Sequence, residues 1–141
     1  MRRWPGYSLE TKVRNNELLV DTCGMVKWMD GSLPDTAKAF LLSAHRRYFS
    51  VISAWEIRLK PALRSLITPS DIEVAIGKMG LEVQPLLLNH ITALVDIQRL
   101  PELPHSDPFD HLLIAQALLY DWPILTCDTK FQGYPGVQVV W

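Results

Sequence analysis

The sequence predicts one α/β domain: a parallel sheet of about five strands with helices on both faces. Three observations carry this. Short apolar runs alternate with helical patterns along the chain, as they do where parallel strands are joined by crossover helices. A length of 141 residues with 48 % apolar content is enough for one core of ordinary domain size. No internal repeat, low-complexity tract or linker divides the chain.

Residues 1–16 are polar and without periodicity. They read as an N-terminal extension of unassigned role, ahead of a domain over 17–141. Glu17-Leu18-Leu19-Val20 is a short apolar run that stops at Asp21, the pattern of a buried strand. A helix is expected over 22–29. Pro34-Asp35 opens a second, running to about His45, because proline suits a first helical turn. Residues 48–52 have the composition of a second strand. Ser53 followed three residues later by Glu56 fits a capping box, for a helix ending near Leu66. Thr68-Pro69 starts another helix, ending near Gly80, and a third strand is expected over 81–85. A helix over 87–98 leads into a loop stiffened by Pro101 and Pro104. Asp107-Pro108-Phe109-Asp110 opens the strongest helix, to about Tyr120. The fourth strand is expected over 123–127, stopping at Asp128, and the fifth over 136–141.

The formal net charge of -1 excludes a global field that would advertise a nucleic-acid partner, and leaves room only for a local one. Two cysteines, Cys23 and Cys127, do not make a disulfide framework in a chain of this length. Each follows an apolar run and is expected to be a packed thiol, not a catalytic one. The start, Met1-Arg2-Arg3-Trp4-Pro5, lacks the apolar segment of a signal peptide. No apolar run reaches the roughly 18 residues of a membrane helix. A cytoplasmic protein without membrane association is expected.

The acids are placed for chemistry. Open parallel sheets bind ligands beyond the carboxyl ends of their strands, where Asp21 and Asp128 follow the first and fourth strands. One such acid could equally cap the next helix; two in equivalent places are harder to assign to capping. Glu56 shares a helix face with Ile52, Leu59, Leu63 and Leu66, and an unpaired buried carboxylate costs several kcal/mol. Its alternative role is to close the capping box. Asp107, followed by Pro108, reads first as an N-cap. Asp110 lies in a first turn, where the helix dipole favours an acid, yet it shares the sheet-facing side with Ile114 and Ala117. Several inward acids would raise one another's pKa, and a divalent cation removes that penalty. Hard oxygen ligands suit Mg²⁺, with Mn²⁺ able to substitute; such ions support phosphodiester hydrolysis.

Arg46, Arg47, Arg58, Lys60 and Arg64 place positive charge around the second strand and its helix, either for RNA phosphates or as a solvated face. His105 and His111 flank the third acid and read as surface or capping groups before ligands. Trp28, Trp55, Trp122 and Trp141 read as core or interface anchors ahead of base-stacking platforms.

The segment Asp107-Pro108-Phe109-Asp110-His111-Leu112-Leu113-Ile114-Ala115-Gln116-Ala117 resembles the D-P-F-D-R-L-L-I-A-Q-A signature of PIN-domain ribonucleases of the VapC type, the toxins of bacterial toxin–antitoxin pairs. Leu19-Val20-Asp21-Thr22 is similar to that family's opening L-D-T, Ser53-Ala54-Trp55-Glu56-Ile57 to its S-x-W-E-I, and Leu125-Thr126-Cys127-Asp128 to its L-T-R-D. The likeness covers about Leu18 to Trp141. It implies a PIN-like three-layer sandwich and a Mg²⁺-dependent endoribonuclease toxin. It also implies a four-acid metal site of Asp21, Glu56, Asp110 and Asp128, with Asp107 and Thr22 beside it as supporting groups or ligands. RNA as substrate, a homodimer and a cognate antitoxin are the implied partners. Three positions depart from the pattern: Cys23 stands where His or Asn often follows Asp-Thr, Cys127 where Arg is common, and His111 where Arg is usual. No carboxylate is lost, but two arginines beside the site are. A metal-dependent phosphatase is the alternative enzyme, though Cys23 occupies the place of its second Asp. A PIN-like module that binds RNA or protein without cutting is the alternative outside enzymes, and such modules usually lose an acid.

Overall fold

In the computed structural model, which describes residues 16–100 and 107–141, β1 (Glu17–Val20) is the central strand of a five-stranded, wholly parallel sheet. The others are β2 (Arg46–Ser50), β3 (Leu81–Gln84), β4 (Ile124–Leu125) and β5 (Val139–Val140), in the order β3-β2-β1-β4-β5. The helices are α1 (Thr22–Met29), α2 (Asp35–Ser43), α3 (Val51–Leu59), α4 (Pro61–Leu66), α5 (Pro69–Met79), α6 (Leu88–Gln98) and α7 (Pro108–Tyr120), and a 3₁₀ turn spans Thr129–Gly133. This is the three-layer parallel α/β architecture the sequence predicts.

Side chains of successive strand residues point to opposite faces, and this divides the core in two. Leu18 and Val20 join Met25, Leu41, Phe49, Ile72 and Leu125 on one face of the sheet. Leu19 and Ile124 join Ile97, Leu113, Ile114 and Phe131 on the other. The centre of α7 is buried without interruption from Asp110 to Leu118, so its sequence shows little amphipathic pattern.

The ends of several elements differ from expectation. β2 starts at Arg46 and stops at Ser50, where its pairing with Gln84 of β3 ends. Ser50, not Ser53, therefore caps α3, its Oγ accepting the Ile52 N–H at 3.1 Å. Ser53 lies buried inside the helix, so the expected capping box with Glu56 does not form. Nor does one helix run to Leu66. Pro61 holds Lys60 in an extended conformation (φ -81°, ψ 117°) and ends α3 at Leu59. Leu59, the last residue of α3, and Leu66, beyond the break, are both exposed and do not continue the apolar face of Ile52. α2 ends at Ser43, before His45. β3 ends before Pro85, which has no N–H for the ladder, and β4 and β5 are shorter than predicted. Asn16, assigned to the extension, is already tied to the domain: its carbonyl accepts the His45 N–H at 2.8 Å. Residues 1–15 and the proline loop over 101–106, His105 included, lie outside the described residues. No helix among the described residues is long and apolar enough to cross a membrane.

Candidate metal centre

From β1 the chain moves outward to β2 and β3, then returns to the other side of β1 for β4 and β5. The direction reverses between β1 and β4, the place where open parallel sheets form a crevice at their carboxyl edge. Asp21 and the 126–128 segment emerge there side by side. The Asp21 N–H bonds the Leu125 carbonyl at 3.1 Å, and Thr126 Oγ1 donates to Asp21 Oδ2 at 2.8 Å. Asp21 holds the N-cap position of α1 without a side-chain capping bond. Its carboxyl group is buried. Burial above all, with Asp110 and Glu56 nearby, pushes its pKa from 3.8 up to about 7, against the opposing hydrogen bond from Thr126.

Glu56 reaches the same crevice from the second turn of α3. Thr22 Oγ1 donates to its Oε1 at 2.9 Å, and Lys60 Nζ contacts its Oε2 at 2.7 Å. Lys60 also meets Asp107 Oδ2 at 2.9 Å. Asp107 keeps its capping role, with Oδ1 accepting the Phe109 N–H at 2.9 Å, so its two oxygens do different work. The Lys60 and backbone contacts outweigh partial burial and hold its carboxyl below the usual range. Asp110 is buried one helical turn further on. One oxygen each from Glu56, Asp107 and Asp110 lie within 4.8 Å of one another. Three hard oxygen donors at this spacing, two of them buried, with an ammonium group already drawn to two of them, fit a cation such as Mg²⁺ or Mn²⁺.

Asp128 stands at the edge of the group. Its Oδ1 accepts the Lys130 N–H at 2.9 Å, capping the 3₁₀ turn, and its own N–H donates to Thr126 Oγ1 at 3.0 Å. Thr126 thus links two of the four predicted acids. All four, together with Asp107, Thr22, Lys27, Lys60 and Lys130, line one open cavity of about 790 Å³.

The PIN-domain family model matches residues 18–137. The chain belongs to the PIN-domain family. No curated protein sequence matches it. Among solved structures, the chain is similar to a DNA-bound VapBC from Salmonella typhimurium (TM-score 0.63, 19 % identity, 87 % of this chain and 96 % of that one). It is also similar to a toxin–antitoxin complex from Klebsiella pneumoniae (0.61, 19 %, 85 % and 94 %). A VapBC2 from Rickettsia felis bound to a promoter DNA fragment gives 0.60 at 12 % identity, over 87 % and 96 %. At these identities the likeness is one of fold.

The PIN domain does not bring every predicted residue to the cavity. Arg46 and Arg47 open β2 and so lie at the opposite edge of the sheet. The Arg47 guanidinium is spent on the carbonyls of Leu41, Leu42 and Met79. Arg58 and Arg64 are exposed on α3 and α4 and do not line the cavity, whereas Lys60 does. Lys27 and Lys130 are cavity cations that the sequence reading left out. Their signal was position: Lys130 follows Asp128 by two residues, and Lys27 follows Asp21 by six, less than two helical turns. His111 is buried with Nε2 3.0 Å from the Tyr134 hydroxyl, a packing role. Trp122 is a core anchor, stacked on Tyr48 at 4.1 Å, and Trp55 is half exposed against Phe109. Cys23 and Cys127 are not separate packed thiols: they are joined as a disulfide, with Cα atoms 6.1 Å apart. Pairing of β1 with β4 brings residues 104 apart into contact, which local sequence could not reveal.

Proposed function

We propose that this PIN domain is a metal-dependent endoribonuclease of the VapC type, the toxin of a cytoplasmic toxin–antitoxin pair. The observation that carries the reading is the convergence of Glu56, Asp107 and Asp110 within 4.8 Å, beside buried Asp21. Asp21, Glu56, Asp110 and Asp128 would hold Mg²⁺, or Mn²⁺ in its place, with Asp107 supporting them. When bound, the cation supplies Lewis-acid activation of the phosphodiester and of the attacking water. Thr22 orients Glu56 and Thr126 orients Asp21 through the hydrogen bonds described above. Lys27, Lys60 and Lys130 hold the RNA backbone in the cavity; they take over the work of the two arginines missing from the family pattern. Exposed Leu59, Leu66, Leu88 and Ile91 are apolar surface suited to burial by protein, consistent with a homodimer and a cognate antitoxin. Toxin–antitoxin complexes among the similar folds support that partner.

The test is to sequence RNA 5′ ends after brief induction of the parent protein and of Asp21→Asn. New ends are expected with the parent alone. Identical ends with both proteins, or none with the parent, would overturn the proposal.

A further inference from the structure

The sulfurs of Cys23 and Cys127 meet because of contacts that involve neither. Asp21 N–H is bonded to the Leu125 carbonyl, and Thr126 is bonded to Asp21. Gly24 lets α1 lie so close to β4 that a Cβ there would stand 2.9 Å from the Leu125 oxygen. The Cα separation of 6.1 Å falls inside the range a disulfide spans without backbone movement, about 4.4–6.8 Å. The same frame therefore accommodates both the dithiol and the disulfide. Cys127 is exposed and Cys23 lines the acid cavity, so small reagents reach the pair from solvent.

We propose that Cys23 and Cys127 form a reversible redox site at the mouth of the acid cavity, with low-molecular-weight disulfides and thiols as its reaction partners, and that closing it tightens cation binding. Oxidation proceeds by two exchanges. One cysteine thiolate attacks a small disulfide, forming a mixed disulfide and releasing one small thiol. The second cysteine attacks the mixed disulfide, forming the Cys23–Cys127 bond and releasing the other. Two electrons pass from the cysteine pair to the small disulfide, and the two cysteine protons end on the released thiols. Excess thiol reverses both steps.

The coupling to the cation follows from position and rests on the metal reading above. Asp21 precedes Cys23 by two residues and Asp128 follows Cys127 directly, so the bond ties together two of the proposed ligands. Apart from the disulfide, the 127–128 segment is held by the Asp128 N–H to Thr126 bond, the 3₁₀ turn and a weak Cys127 N–H to Cys23 Sγ contact at 3.3 Å. Loss of support behind a ligand weakens metal binding by about tenfold or more. Coupling of this kind is reciprocal, so saturating cation must make the disulfide about tenfold harder to reduce, which is about 30 mV for a two-electron couple.

The experiment equilibrates the purified full chain with mixtures of reduced and oxidised glutathione, with and without Mg²⁺. It reads free thiols, Tm in EDTA and the Mg²⁺ Kd by calorimetry. Both thiols should disappear together. The oxidised form should melt roughly 10 °C higher and bind Mg²⁺ about tenfold more tightly. The thiol midpoint should move by about 30 mV when Mg²⁺ is saturating. The double variant Cys23→Ser/Cys127→Ser should match the reduced parent in Tm and Mg²⁺ affinity and ignore the glutathione ratio. Two thiols that stay free in excess oxidised glutathione, or equal Mg²⁺ affinity in both forms, overturn the proposal. Paired thiols and a raised Tm in a protein that binds no Mg²⁺ in either form support the redox site and overturn the metal reading instead.

Discussion

Asp21→Asn in metal-free protein isolates the electrostatic cost of the acid cavity. Asp21 has a pKa of about 7 in the fold against 3.8 as an ordinary carboxyl. The folded protein therefore keeps its proton over a range in which the unfolded chain has released it. That contribution to stability is fully present below pH 3.8 and is lost as the pH rises to about 7. Each pH unit inside the gap changes stability by about 1.4 kcal/mol, so raising the pH from 5 to 7 costs about 3 kcal/mol. For a domain of this size that is a fall of roughly 10 °C in Tm. Asparagine keeps the shape and an oxygen to accept from Thr126, and cannot ionise. Melting is followed in EDTA from pH 5 to 8 for parent and variant, so that other titrating groups cancel in the difference. The variant's advantage in Tm over the parent should grow steadily from pH 5 to about pH 7 and level off above it. Parallel curves across the range would refute the reasoning.

Mg²⁺ or Mn²⁺ should raise the parent's Tm, by about 2.7 kcal/mol of stability at a hundredfold excess over Kd, and leave Asp21→Asn nearly unmoved in the same melts. Lys60→Ala should cost about 1 kcal/mol in EDTA, a modest figure because the ammonium is partly exposed; calorimetry should show tighter Mg²⁺ binding, since one competing charge is gone. Asp107→Ser retains a capping oxygen and should keep its fold and substantial cleavage, whereas Asp110→Asn should be nearly inactive with an unchanged or higher Tm in EDTA. The opposite pattern would exchange their roles. Gly24→Ala drives a methyl group against the Leu125 carbonyl at the edge of the cavity. It should cost about 1–3 kcal/mol by denaturant unfolding.

The elements and the acids were legible because each has a local cause. The β1 run ends at Asp21, the α7 run begins with a capping Asp and a proline, and Gly80 closes α5 in the left-handed conformation at φ 66°. Strand order was not local. Nothing near Val20 says that β4, and not β3, lies beside it, so neither the Thr126 bridge nor the Cys23–Cys127 bond could be foreseen. Arg46 and Arg47 were counted as possible RNA contacts although they stand at the start of the second strand, and it is the carboxyl edge of the sheet that faces the cavity. The break at Lys60 was different. Pro61 disfavours helix at the residue before it, and that signal stood in the sequence. It matters to the site because the break positions Lys60, whose ammonium bridges Glu56 and Asp107.

Removal and return of the cation during RNA cleavage tests the central claim most directly. Purified protein is stripped with EDTA and incubated with RNA, and millimolar Mg²⁺ is then added. The carboxylate site predicts intact RNA in EDTA and cleavage on adding Mg²⁺, with Asp21→Asn silent throughout. Cleavage at the full rate in EDTA would contradict it.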